Sequence, residues 1–374
     1  MATLTDAERL DWLQLIRTET IGPVTFAQLL KRFGSARAAI DALPQLAAKA
    51  GRKLPLRAAP RADAEAEIDR AAAAGARLIA RCEADYPPPL AEIADAPPVL
   101  YVRGHASLFK RPAVAIIGAR NASGVGRKIA RMLAEGLGAR DIVVASGLAR
   151  GIDGAAHEAA LRTGTIAVVA GGVDVVYPPE HADLTRLIAE QGAVISEQPP
   201  GALPTARDFP KRNRLISGLS RGVVVVEAAA KSGTLITARF ALEQGREVFA
   251  VPGSPLDPRC QGANRLIRDG ATLVETAQDI LDALAGQFRG AAEPARDGDD
   301  WGAPDIGDDR YGADEMERVR RAVREALSFT PLHRDEILRE VAGPAALIID
   351  ALVDLVLAGE AEEHSGGRFS LRAG

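Results

Sequence analysis

Between residues 77 and 285 short apolar runs recur with helical stretches between them, and few folds can hold that alternation. The runs lie at 77–80, 99–102, 113–117, 142–145, 165–170, 193–196, 222–226, 247–251 and 272–274. Amphipathic stretches at 125–137, 155–162, 182–191 and 235–244 separate the later ones. AVAII at 113–117 and VVVV at 223–226 are apolar without alternation, as strands covered on both faces must be. Strands alternating with helices predict an α/β fold with an extended Rossmann-like, doubly wound, mainly parallel sheet. The corresponding domain is expected over 77–288.

The flanks read differently. Residues 1–60 predict a small helical domain of the SAM or helix-hairpin-helix kind, with helices at 10–16 and 26–33 around the turn Ile21-Gly22-Pro23. Such a turn can hold a DNA backbone through its amides, and it is equally a way to pack a small helical domain. Residues 51–75 are rich in Ala, Pro and Arg and read as a link. Residues 289–313 hold Gly, Pro and Asp with little apolar content and read as a flexible linker. Over 314–374, three helical stretches (314–327, 333–341 and 345–357) precede a Gly366-Gly367 hairpin, the pattern of a winged helix. The third stretch carries Asp350 and Asp354 and no Lys or Arg, so it is expected to contact protein or its own core rather than a DNA groove.

Against 46 Lys and Arg stand 50 Asp and Glu, a net charge of −4 that taken alone disfavours nucleic acid. Where the positive charges sit matters more. The start MATLTDAERLDWLQL has no basic segment followed by an apolar run, and no stretch reaches the roughly 18 apolar residues of a membrane span. Cys82 and Cys260 are too few for a disulfide framework or a cysteine zinc site. A cytoplasmic protein without a membrane partner is expected.

In open α/β sheets ligands bind beyond the C-terminal strand ends. The first such loop, Gly118-Ala119-Arg120-Asn121-Ala122-Ser123-Gly124-Val125-Gly126, is rich in glycine before a helix and suits a phosphate. It is not G-x-G-x-x-G, and the next strand ends in Ser146-Gly147 where a ribose-binding acid would stand, which argues against a dinucleotide cofactor. The Lys-containing phosphate loop of nucleotide hydrolases is missing too. No cofactor is expected. Ser146-Gly147-Leu148-Ala149-Arg150-Gly151-Ile152-Asp153 and Ser232-Gly233-Thr234 repeat the theme of amides and hydroxyls at helix starts. Three nests on one rim suit several phosphates better than one, although small residues also let helices turn tightly off strands.

The densest charge is Arg207-Asp208-Phe209-Pro210-Lys211-Arg212-Asn213-Arg214, four basic residues against one acidic. Pro210 is expected to precede a helix, which would put Lys211, Arg212 and Arg214 near its first turn, where cations oppose the helix dipole. An anion in the site would explain them, and Phe209 would give a base a ring to stack on. The alternative is an arginine network paired to Glu197 and Glu227 with Phe209 in the core. A catalytic set is not legible: Asp153, Asp174, Glu197 and Glu227 are dispersed, and Asp153 and His157, four apart, read as a structural hydrogen bond.

SGLARGIDGAAHEAAL at 146–161, GGVDVVYPPEH at 171–181, FPKRNRLISGLS at 209–220, VVVVEAAAKSGTLITA at 223–238, VFAVPGSP at 248–255 and GANRLIRDGA at 262–271 closely resemble the DNA processing protein A (DprA/Smf) family. The resemblance implies a non-enzymatic, dimeric protein that binds and protects incoming single-stranded DNA and helps load RecA onto it during natural transformation. Carried over by motif, it implies a DNA site of Arg120, Ser146, Gly147, Arg150, Phe209, Lys211, Arg212, Asn213 and Arg214, with Ser232, Gly233 and Thr234 on the same rim. An enzyme reading competes with it: nucleoside phosphate hydrolases of the lysine-decarboxylase-like (LOG) kind share a Rossmann core with a Gly-Thr phosphate loop. Those enzymes place a Glu soon after the Gly-Thr, whereas Leu235-Ile236-Thr237-Ala238 follows here. A winged-helix transcription regulator is disfavoured by the acidic third helix.

Overall fold

The computed structural model describes residues 3–52, 55–289 and 313–372; the expected linker falls almost entirely outside them. The described residues form two compact units. Helices α1 (Asp6–Ile16), α2 (Pro23–Phe33) and α3 (Ala36–Lys49) open the chain. Thr5 and Glu8 cap α1 reciprocally, the Thr5 hydroxyl accepting from the Glu8 amide and the Glu8 carboxylate accepting from the Thr5 amide at 2.7 Å. Residues 61–73, expected as part of a link, form a further helix, α4 (Arg61–Ala73). Its alanine-rich sequence has strong helix propensity, and Glu67 on it accepts a 2.5 Å hydrogen bond from the buried Tyr101 hydroxyl.

The core follows as β1 (Arg77–Ala80), α5 (Pro88–Ala91), β2 (Val99–Gly104), β3 (Ala113–Ile117), α6 (Gly124–Gly138), β4 (Val143–Ser146), α7 (Ile152–Ala160), β5 (Thr165–Val168), α8 (Ala182–Gln191) and β6 (Ala193–Ser196). Then come α9 (Asp208–Leu219), β7 (Gly222–Val225), α10 (Thr234–Glu243), β8 (Glu247–Ala250), α11 (Gln261–Arg268), β9 (Thr272–Leu273) and α12 (Ala277–Arg289). Among the described residues one nine-stranded sheet runs in the order β1-β2-β6-β5-β4-β3-β7-β8-β9. From β6 to β9 every pairing is parallel, while β2 pairs antiparallel with β6. Both faces are buried, as the unalternating runs require: Val114, Ile116, Leu133, Leu137 and Ile152 share one cluster, and Tyr101, Leu148, Ala167, Ile188 and Val194 another. The chain leaves β3 toward β4, β5 and β6, then returns to β7 on the other side. The strand order therefore reverses between β3 and β7, the kind of place where open α/β sheets bind ligands beyond their C-terminal strand ends.

Helices α13 (Ala313–Ala326), α14 (Arg334–Glu340) and α15 (Ala345–Ala358), with strands β10 (Leu332–His333), β11 (Ala361–His364) and β12 (Arg368–Leu371), make the winged helix. It lies in one compact unit with the N-terminal helices. The acidic α15 packs against α2 and α3, and Val24 of α2 joins the cluster of Ile348, Leu352, Leu355 and Val356.

Candidate nucleic-acid interface

Loops after β3, β4, β5 and β6, together with the start of α9, enclose a cavity of about 220 Å³. Arg120, Gly147 to Arg150, Val169 to Gly171, Val175, Tyr177 to Glu180, Pro204, Phe209 and Arg212 line it. Helix α9 begins at Asp208, so Pro210 lies inside its first turn rather than ahead of it. The Asp208 carboxylate accepts from the Thr205 amide at 2.8 Å and hydroxyl at 2.6 Å, closing the turn that starts the helix.

The basic cluster divides in two. Lys211 is exposed, whereas Arg212 and Arg214 are buried. Arg212 passes beneath the β4 loop, donating to the Gly147 carbonyl at 2.6 Å and to the Val168 carbonyl. A side chain at position 147 would meet that guanidinium at 2.9 Å, so the glycine is what lets it through. Beside it, Asp153 accepts from the amides of Gly147 at 3.2 Å and Ala149 at 3.3 Å. Burial pushes the Asp153 carboxyl up, against the pull of Arg212 and of those two amides. Burial also lowers Arg212 to about 10, which leaves it charged at neutral pH. Arg214 forms an ion pair with Glu197, one partner that the sequence alternative named. Glu227, the other, accepts instead from the Ser123 amide at 3.0 Å and hydroxyl at 2.5 Å.

His157 and Asp153 do not form the expected pair. The Thr165 hydroxyl donates to the Val144 carbonyl at 2.8 Å, so it accepts from His157 Nδ1 at 2.7 Å. Full burial, with His181 and Arg212 adding to it, lowers His157 to about 3 and keeps it neutral.

Among the remaining expected residues, Ser146 is buried and donates to the Ile116 carbonyl at 2.6 Å, turned away from the cavity. Asn213 accepts from Arg212 Nε at 3.3 Å. Ser232 accepts from the Thr234 amide at 3.2 Å, and the Thr234 hydroxyl donates to the Gly118 carbonyl at 3.1 Å, so both hydroxyls brace their turn. Gly233 is exposed. Arg120 and Arg150 are exposed on the cavity rim. Arg120 lies over the Phe209 ring, 5.2 Å from its centroid, and Arg150 approaches Glu180 at 3.5 Å. Sequence reasoning missed the wall at Tyr177 to Glu180; the segment GGVDVVYPPEH stood out only as a family motif. Among the described residues no group of three or more His, Cys, Asp or Glu could hold a metal ion.

This geometry, with cations and an aromatic pair around the loops beyond β3, β4 and β5, meets the comparisons with known proteins. The model of the DNA recombination-mediator protein A family matches residues 77–285. The chain belongs to that family. Models of its N-terminal helix-hairpin-helix domain and its winged helix match 6–70 and 312–367. Protein Smf of Escherichia coli is 40% identical over 296 residues, covering 77% of this chain and 75% of that protein. The crystal structure of DprA from Streptococcus pneumoniae aligns with a TM-score of 0.63 at 37% identity, over 75% of this chain and 98% of that one. A DprA structure from Helicobacter pylori that addresses single-stranded DNA binding aligns with a TM-score of 0.52 at 29% identity, over 57% and 96%. The family fold, a Rossmann-like core flanked by helical and winged domains, is the one described above.

Proposed function

We propose that the chain is a recombination mediator that binds single-stranded DNA in the cleft beyond β3, β4 and β5. One observation carries the reading: Arg120, Arg150 and Lys211 are exposed around or beside a cavity whose mouth holds an aromatic pair, Tyr177 and Phe209. Cations that track phosphates next to rings that take bases are the recognition mode of single strands. Arg120, Arg150 and Lys211 meet phosphate; the exposed turn at Gly233, after β7, is not part of the cavity lining. Gly147 and Arg212 form part of the cavity wall, while Ser146, Asn213, Arg214, Ser232 and Thr234 act one layer behind, holding the loops in place. The H. pylori relative, whose single-stranded DNA binding has been addressed structurally, supports the assignment. Loading of RecA, a homodimer and action without catalysis complete the reading as the family implies it.

Oligo-dT and a blunt duplex of matched length, titrated in parallel, test it. The single strand binds far more tightly, and added magnesium produces neither strand cleavage nor nucleotide hydrolysis. Equal affinity for the duplex contradicts the reading. Turnover of nucleoside monophosphate, lost in Glu227→Gln, would favour the hydrolase alternative.

A further inference from the structure

We propose that Tyr177 is the shelf on which a base of the bound strand stacks, with Phe209 as its support. The proposal rests on the single-strand reading and deepens it. Phe209 is half-buried and already flanked: the Arg120 guanidinium lies 5.2 Å from its centroid, and the Tyr177 ring lies 5.4 Å away at 53°. Tyr177 remains 45% exposed, at the edge of the cavity between the Arg120 and Arg150 loops. The ring that offers an open face is therefore the tyrosine, while Phe209 fixes its tilt from behind.

The tyrosine is also held in place before any ligand arrives. Its loop is fastened at both ends, by the Val175 amide on the Gly172 carbonyl at 3.0 Å and by the His181 amide on the Pro178 carbonyl at 3.0 Å. The His181 ring anchors it further, Nδ1 donating to the Leu148 carbonyl at 3.0 Å. Pro178 and Pro179 remove backbone freedom directly after the ring. Stacking on a ring so fixed orders little in the protein, and it tolerates any base because each has a π face.

The test uses the full chain with Tyr177→Ala, Tyr177→Phe and Tyr177→Trp, titrated with oligo-dT across salt. Tyr177→Ala weakens binding between about 5-fold and about 150-fold and leaves the salt slope unchanged, because no phosphate contact is lost. Tyr177→Phe binds like the parent. In Tyr177→Trp the added fluorescence, read against the parent as background, is quenched when oligo-dT saturates the protein. Parental affinity in Tyr177→Ala, or unquenched fluorescence in a Tyr177→Trp protein that binds, overturns the proposal. If Arg120→Ala and Lys211→Ala still weaken binding in that case, the single-strand reading survives without it. A parent that does not bind oligo-dT sinks both. An altered oligomeric state in Tyr177→Ala with parental DNA affinity assigns the exposed ring to a protein contact instead.

Discussion

Helix α2 and helix α9 both begin where negative charge is welcome, and the molecule treats the two starts in opposite ways. At α2 the cap residue is Gly22, which offers no side chain to the first amides. Glu363, from the winged-helix hairpin of the same compact unit, fills the place. Its carboxylate accepts from the Val24 amide at 2.8 Å, the Thr25 amide at 3.0 Å and the Thr25 hydroxyl at 2.7 Å. A side chain at position 22 would meet the Glu363 carboxyl at 2.5 Å, so the glycine belongs to the contact. The turn that the sequence offered as a DNA-backbone holder thus has an internal carboxylate as its anion. At α9 Lys211 is left exposed, as is Arg120, whose guanidinium lies over the Phe209 ring. Charge turned onto the protein's own groups serves the fold; the exposed charge is what we assign to DNA.

The largest effect expected from this contrast lies in the inward half of the basic cluster. Arg214→Ala removes the buried half of the ion pair with Glu197 and should cost about 3–5 kcal/mol of stability, read by denaturant unfolding. Its single-strand affinity, measured where the variant is folded, should keep the parental salt slope. A lower slope would make Arg214 a phosphate contact after all.

Next comes the α2 cap. Glu363→Ala strips three hydrogen bonds from a desolvated site and should cost about 1.5–3 kcal/mol, with faster hydrogen exchange at Val24 and Thr25. Affinity for oligo-dT should not change. Removing the chain beyond Gln287 should repeat that result, because every proposed DNA contact lies in the core. Weaker binding in either variant would mean that the second unit takes part in recognition.

Smaller still is the acid sensitivity of the core. Neutral His157 has a folded pKa of about 3, against an unfolded value near 6.5. The unfolded chain thus binds the extra proton, and the stabilisation present above pH 6.5 is lost as pH falls toward 3. Between pH 7 and pH 5 the parent should lose on the order of 2 kcal/mol more than His157→Gln. Identical pH dependence in the two proteins would mean that the histidine can be charged inside the fold.

Most of the fold was legible because both faces of the sheet are covered, which leaves uninterrupted apolar runs such as those at 113–117 and 223–226. Residues 61–73 were misread because alanine, arginine and proline also compose linkers; Glu67, which bonds to Tyr101 in the sheet, carries no periodic signal of its own. In the site, the motifs named the loops after β3 and β4 that line the cavity but not the direction of each side chain. Arg212 and Lys211 are neighbours in sequence, yet one helical step sends the first under the β4 loop and the second into solvent. Tyr177 escaped notice because nothing local in its sequence says that the loop after β5 folds back beside Phe209.

The salt dependence of oligo-dT affinity in the Arg120→Ala/Lys211→Ala double variant, beside Arg214→Ala, tests the division between outward and inward charge. If the two outward cations each neutralise a phosphate, the slope of log affinity against log salt falls by about 0.7 per contact, roughly 1.4 for the pair, while unfolding of that variant stays parental and Arg214→Ala keeps the full slope. A parental slope in the double variant, or the loss appearing in Arg214→Ala instead, would contradict the assignment of the outward cations to DNA.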